Sequence, residues 1–183
     1  LLLSIIKKKI VNPKVIWLIK TILANYRAEK EGKGMPLGNL TSQFFANIFL
    51  NELDQFVKHK LRAKYYIRYV DDFVILDRSP KILHQYMNQI DIFLRDTLDL
   101  ELHPDKTRII PLSVGVEFLG MNIFSHHKLL KGKNLRKFYR EFNSVCSEYD
   151  QQLVTYDTIY DFLEGWLAYA KHANTYKLRK KIT

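Results

Sequence analysis

Asp71 and Asp72 sit side by side in the run YYIRYVDDFVIL, residues 65–76. Neighbouring carboxylates concentrate negative charge. Hard cations such as Mg²⁺ take oxygen ligands, commonly one or two protein carboxylates with water or phosphate in the other positions. Two such ions about 4 Å apart can activate a hydroxyl and stabilise a leaving pyrophosphate. An isolated Asp-Asp is more often a solvated turn. The flanks argue otherwise here. Apart from Arg68 they are apolar or aromatic, and they read as two short strands meeting at an acidic turn. Strands of that composition are expected to be buried, and buried paired acids call for a counter-ion.

Three further segments carry polar chemistry. Gly34 to Gln43, GMPLGNLTSQ, places glycines ahead of a helix start, where backbone N–H groups can approach a phosphate or a base. Ser42, Gln43 and Asn47 add side-chain groups in the first turns, although taken alone the segment is better explained by a plain loop and a capped helix. Lys106, in LELHPDKT, reads as a lysine in a turn between a helix and a strand, where it could protonate a leaving pyrophosphate. Most lysines are merely solvated. Val116 to Gly120, VEFLG, reads as a strand ending in a turn.

These groups need elements to hold them. Residues 1–26 read as two helical pieces broken at Asn12-Pro13. From Asn39 to about Leu61 there is neither Gly nor Pro, and Phe45, Ile48, Phe49, Leu53, Phe56, Val57 and Leu61 recur at helical spacing, with Asn39 or Thr41 as the cap. Ser79-Pro80 opens a helix to about Leu98, short strands surround Gly115 and Gly120, and from Lys133 onward two or three helices follow. The fold class is α+β with an all-helical C-terminal part.

Composition limits the partners. The net charge of +10 favours a polyanion, nucleic acid before membrane. Lys133, Arg136, Lys137, Arg140, Lys177 and Arg179, interleaved with Tyr139, Trp166, Tyr169 and Tyr176, suit a surface that grips a nucleic-acid backbone, with Trp166 and Tyr169 partly in the core. The single Cys146 excludes an intramolecular disulfide and any Cys-rich zinc site, and suits a cytoplasmic location. No stretch approaches the roughly 18 apolar residues of a membrane span.

The order of these segments is more telling than any one of them. GMPLGNLTSQFFANIFLNELDQF, YYIRYVDDFVIL, LELHPDKTRI and VEFLGMNI resemble motifs B, C, D and E of reverse transcriptases, in that order, and GWLAYAKHANTYKLRKKI is similar to the thumb segment of the bacterial enzymes. The resemblance implies a right-hand polymerase. Residues 1–31 form a helical segment, residues 32–130 the palm and residues 131–183 a helical thumb, while the fingers and first palm strand are missing. It implies RNA-templated DNA synthesis with two Mg²⁺ ions, which Mn²⁺ could replace. The partners are an RNA template, a DNA primer and dNTPs.

By the same resemblance Asp71 is the main metal ligand and Asp72 supports the same site. Tyr69 and Val70 lie beside the primer end. Pro36, Leu37, Gly38, Asn39, Ser42 and Gln43 contact nucleotide and template. Lys106 is the general acid, and Phe118, Leu119 and Gly120 are the primer grip.

Two departures matter. Many reverse transcriptases, group II intron enzymes among them, have Gln where this chain has Leu37. Leu37 looks more like the enzymes of diversity-generating retroelements, some of which work with a small basic accessory protein. Loss of that amide makes lowered fidelity a reasonable expectation. The larger departure is motif A, whose aspartate should precede Leu1; nothing in LLLSIIKKKI replaces it. A chain that starts at Leu1 without that carboxylate is expected to be a fragment, inactive or nearly so alone, with exposed sheet edges. The competing readings are a catalytically dead nucleic-acid-binding remnant and an interaction module.

Overall fold

Asn12 fixes the first break in the chain. Its side-chain oxygen accepts from Lys14 N at 2.9 Å and Val15 N at 3.4 Å, and Pro13 occupies the first helical position, where its missing N–H costs nothing. The computed structural model describes residues 1–24 and 40–182. It contains α1 (Leu2–Lys7), α2 (Pro13–Ala24) and α3 (Leu40–Gln55), the last continued by a π-helical turn, Phe56–Lys60. A hairpin follows, β1 (Tyr65–Tyr69) and β2 (Asp72–Leu76), then α4 (Pro80–Phe93) with its own π-helical turn, Leu94–Leu98. Beyond a 3₁₀ turn at Leu112–Val114 lie β3 (Val116–Phe118), β4 (Met121–Ile123), β5 (Lys128–Leu130), α5 (Gly132–Asp150), α6 (Tyr156–Ala170) and α7 (Tyr176–Ile182). The chain is thus a mixture of helices and small antiparallel sheets. It divides into two compact units, Leu1–Ile109 and Ile110–Thr183.

The first unit has two apolar clusters joined by α3. Near its start, Phe45 meets Ile6, Ile16 and Ile19 of α1 and α2. Towards its end, Leu53 and Val57 pack with Ala63, Ile90, Leu94 and Leu98, and Phe56 stacks on Phe93 with ring centroids 4.2 Å apart. Each such side chain stabilises the unit by about 1.5–3 kcal/mol through removal of apolar surface from water. Ser79 caps α4, its hydroxyl accepting from Ile82 N, with Pro80 at the first position. Thr41 lies inside α3 rather than at its cap, and Asn39 lies outside the described residues.

The hairpin uses only one of its faces. Cross-strand partners share a side of a sheet, so the pairs Tyr66–Ile75 and Arg68–Phe73 form one face and Tyr65–Leu76, Ile67–Val74 and Tyr69–Asp72 the other. Tyr66, Phe73 and Ile75 pack on the Leu53–Ile90 cluster. Tyr65, Ile67 and Tyr69 are each more than half exposed. The expectation that these apolar strands would be buried therefore holds for one face alone. Period-2 alternation gave half of the side chains a helix to pack on and left the other half open.

In the second unit, β3, β4 and β5 form an antiparallel meander. Phe138 of α5 lies at its helical core, with its ring centroid 3.8 Å from that of Trp166 of α6. Asn174 ties the α6–α7 connection to β5 by two reciprocal bonds with Lys128, each 2.8 Å. The meander and the three C-terminal helices belong to one compact unit.

Candidate functional site

Arg68 is the charged residue that interrupts β1, and its strand position turns it to the face packed on α3. There it meets Asp54. Its Nε donates to Asp54 Oδ1 at 2.8 Å and its Nη2 to Asp54 Oδ2 at 2.6 Å, a two-pronged pairing suited to the planar guanidinium. Nη1 donates to Asn47 Oδ1 at 3.1 Å and to the Val70 carbonyl at 2.6 Å. Tyr66, two residues back on the same face, donates its hydroxyl to Asp54 Oδ1 at 2.7 Å. Asn47 and Asp54 are seven residues apart, two turns of helix, and so share one face of α3.

The electrostatics follow from this geometry. Burial works to raise the Asp54 carboxyl, but the hydrogen bonds from Arg68 and Tyr66, with the Arg68 charge, outweigh it and hold the group below its ordinary value. For Tyr66, burial first and then the bond to Asp54 push the hydroxyl well above its usual range. The Asp54 hydrogen bond raises Arg68 against the opposing effect of burial.

The hairpin tip hangs from this network. Tyr69 pairs with Asp72, so Val70 and Asp71 are the two turn residues. Val70 has φ +54, a left-handed conformation that a β-branched residue rarely adopts. Asp71 follows it in the turn, and Asp72 opens β2 on the same face as Tyr69. Both carboxylates are exposed. Burial demands no counter-ion there, because the tip is solvated. The donor set still fits Mg²⁺: two adjacent hard oxygen donors on a fixed turn leave the other positions to water and phosphate. Among the described residues no cluster of three or more His, Cys, Asp or Glu forms a fuller site.

The remaining expected residues fall as follows. Pro36, Leu37, Gly38 and Asn39 lie outside the described residues. Ser42 and Gln43 are in the first turns of α3, half-buried and exposed respectively. Lys106 is exposed in the turn after the second π-helical turn, with its backbone N–H on His103 O at 3.3 Å. No strand follows directly, since the next begins at Val116, and no hydrogen bond or ion pair links Lys106 to Asp71 or Asp72.

In the second unit Phe118 is buried, Leu119 is exposed at the tip with φ +50, and Gly120 follows with φ +77. Gly120 O accepts from Tyr169 Oη at 3.1 Å and Asn134 Nδ2 at 3.2 Å. A Cβ on Gly120 would sit 2.8 Å from both of those side-chain atoms. Lys133, Arg136, Lys137 and Arg140 follow helical spacing on α5 and are all exposed, and Lys137 also pairs with Glu141 at 3.6 Å. Lys177 is exposed on α7, whereas Arg179 is half-buried. Trp166 and Tyr169 are half-buried, as expected, while Tyr139 and Tyr176 are exposed.

Sequence reasoning missed Asp54 and the role of Arg68. One signal was present: a lone arginine on the covered face of an apolar strand requires an acid, and Asp54 stands among the apolar positions of the preceding helix.

Comparison with known proteins bears on this arrangement. The family model described as "Reverse transcriptase (RNA-dependent DNA polymerase)" matches residues 3–123. Protein YkfC of Escherichia coli K12 is 26% identical over 187 positions, covering 81% of this chain and 47% of that protein. The group II intron-encoded protein LtrA of Lactococcus lactis subsp. cremoris is 25% identical over 189 positions, covering 67% of this chain and 32% of that protein. The chain thus spans less than half the length of either relative. Among the described residues no helix is long and apolar enough to cross a membrane.

Proposed function

Because the chain belongs to the reverse transcriptase (RNA-dependent DNA polymerase) family, we propose that it serves RNA-templated DNA synthesis, with Asp71 and Asp72 as the carboxylates of its nucleotidyl-transfer site. The observation that carries this reading is the exposed acid pair on a strained turn that Arg68 ties to α3. In this reading residues 32–130 supply the palm and residues 131–183, with helices α5 to α7, form the thumb.

Asp71 and Asp72 would hold Mg²⁺, in a two-ion site or with Mn²⁺ in its place. When bound, the metal supplies positive charge that activates the primer 3′-hydroxyl and stabilises pyrophosphate. The chain's own residues do the rest. Tyr69, exposed on the same sheet face as Asp72, offers its ring to the primer end beside Val70. Ser42 and Gln43, with Pro36 to Asn39 ahead of them, position the incoming nucleotide on its template. Lys106 donates a proton to the departing pyrophosphate. Phe118, Leu119 and Gly120 grip the primer strand, and the exposed α5 cations with Lys177 bind the phosphate backbone.

We place the enzyme in a bacterial retroelement, acting in the cytoplasm. Leu37 favours a diversity-generating element, with low fidelity and a small basic accessory protein. The group II intron-encoded relative favours an intron-like one. No aspartate precedes Asp54 in the sequence, so the motif A aspartate that the family resemblance pairs with Asp71 is not supplied by these residues.

The test is primer extension on poly(rA)/oligo(dT) with Mg²⁺, using the full polypeptide as encoded and its Asp71→Ala variant. Extension that the variant abolishes supports the reading. Template–primer binding without extension in either protein contradicts it. Sequencing the cDNA then decides fidelity: uniformly low error across template bases counts against the diversity-generating origin.

A further inference from the structure

Val70 is a β-branched residue held at φ +54, and the turn contains no glycine to relieve it. Something must hold that backbone. The Val70 carbonyl accepts from Arg68 Nη1 at 2.6 Å, and the same nitrogen reaches Asn47 Oδ1 at 3.1 Å. The other two guanidinium nitrogens are fixed on Asp54, and Asp54 is further fixed by the Tyr66 hydroxyl. All three nitrogens of one side chain are therefore committed, two to α3 through a carboxylate and one shared between α3 and the turn. The Arg68 side chain is only 10% exposed, so water competes poorly for these bonds. The carbonyl it holds belongs to the residue immediately before Asp71.

We propose that Arg68 is a positioning residue. It clamps the Val70 carbonyl, keeps the turn left-handed, and so fixes Asp71 and Asp72 relative to α3, the helix that carries Ser42 and Gln43. The mechanical part stands on the geometry alone, while its catalytic meaning rests on the metal-binding reading of Asp71 and Asp72. The clamp needs a planar fork. A lysine keeps the charge but presents a single nitrogen, which cannot hold both Asp54 oxygens and the Val70 carbonyl. Glycine at position 70 removes the need for it, because glycine enters the left-handed region without steric cost.

The experiment uses the full polypeptide as encoded, ¹⁵N-labelled at valine and arginine. In the wild type, a strong intraresidue HN–Hα NOE at Val70 and slowly exchanging Arg68 guanidinium protons are expected. Arg68→Lys is expected to lose the Val70 NOE and to weaken Mn²⁺ binding, followed by the electron paramagnetic resonance of free Mn²⁺, by about tenfold or more. Adding Val70→Gly to Arg68→Lys should recover most of that affinity, a rescue that a merely structural arginine would not show. Arg68→Lys with an unchanged Val70 NOE, or freely exchanging guanidinium protons in the wild type, would overturn the proposal. The wild-type reading needs no variant and stands even if Arg68→Lys does not fold. Wild-type protein that shows the clamp but binds no Mn²⁺ would sink the metal-site reading instead, and with it the catalytic meaning of the clamp, leaving its mechanics in place.

Discussion

Each compact unit contains a tight hairpin tip with a non-glycine residue at positive φ, Val70 at +54 in one and Leu119 at +50 in the other. Both tips are held through a backbone carbonyl gripped by side chains: Val70 O by Arg68, and Gly120 O by Tyr169 and Asn134. The grips differ in kind. At the first tip the donor is a charged guanidinium, itself held bidentately on the α3 carboxylate of Asp54. At the second it is neutral, with Asn134 also donating to Tyr169 Oη at 2.9 Å, and it is reinforced by a glycine whose missing Cβ lets those groups approach. Left-handed backbone alone therefore does not set the first turn apart. What separates the two is cargo: the first carries Asp71 and Asp72, and the second an exposed Leu119.

The largest expected effect divides the tips by readout. Asp71→Asn should reduce primer extension by at least about 100-fold, the scale of losing a group that stabilises transition-state charge. It should leave the melting profile unchanged, since Asp71 is exposed. Leu119→Asn, at the other tip, should raise the template–primer concentration required, as loss of a primer contact would, while costing far less of the rate at saturation. Equal losses of the saturated rate in the two variants would erase the distinction.

Gly120→Ala should show first in stability. A side chain there is forced to φ +77 and within 2.8 Å of Asn134 and Tyr169, so a loss of about 2–4 kcal/mol is expected from the second unit. Thermal or denaturant melting followed by Trp166 fluorescence, with Trp17 changed to Phe so that Trp166 alone reports, would measure it. A wild-type melting curve would show that the neutral grip is not tight.

Asp54→Asn should cost about 1–3 kcal/mol at neutral pH, because Arg68 is left without its charge partner. The sign of the pH dependence follows from the lowered Asp54 carboxyl. Its contribution is fully present above the ordinary carboxylate value, near 3.8, and is lost as pH falls through the lower folded-state value. Wild type and variant should therefore converge in acid melts below that point. A constant gap down to the acid transition would mean that ionised Asp54 contributes nothing special.

Tyr169→Phe is the smallest change. It removes one donor to Gly120 O and one acceptor for Asn134, worth about 1 kcal/mol, and should leave the Val70 tip untouched.

Much of this architecture was legible in sequence because it is local. Asn12-Pro13 and Ser79-Pro80 announce their helix starts, and the apolar spacing from Phe45 to Leu61 announces α3 together with the turn that continues it. The acidic hairpin and the strands around Gly120 were equally plain. The contacts that hold the tips were not, because Arg68 to Asp54 spans 14 residues and Tyr169 to Gly120 spans 49, and no local period encodes such pairings. The open hairpin face was missed for a related reason: composition gives a strand's apolarity, but coverage depends on what packs against each side. Lys106 was placed before a strand because short apolar runs follow it from residue 108 onward, yet the first strand after it is Val116–Phe118.

The most direct measurement of what the first tip carries is Mn²⁺-induced broadening of backbone amide signals in the ¹⁵N-labelled full polypeptide. Within the first unit, selective loss of signal is expected at residues 69–73, and no selective loss when Asp71 and Asp72 are both changed to Asn. Broadening that survives the double substitution, or that spares residues 69–73 in the wild type, would contradict the metal-site reading.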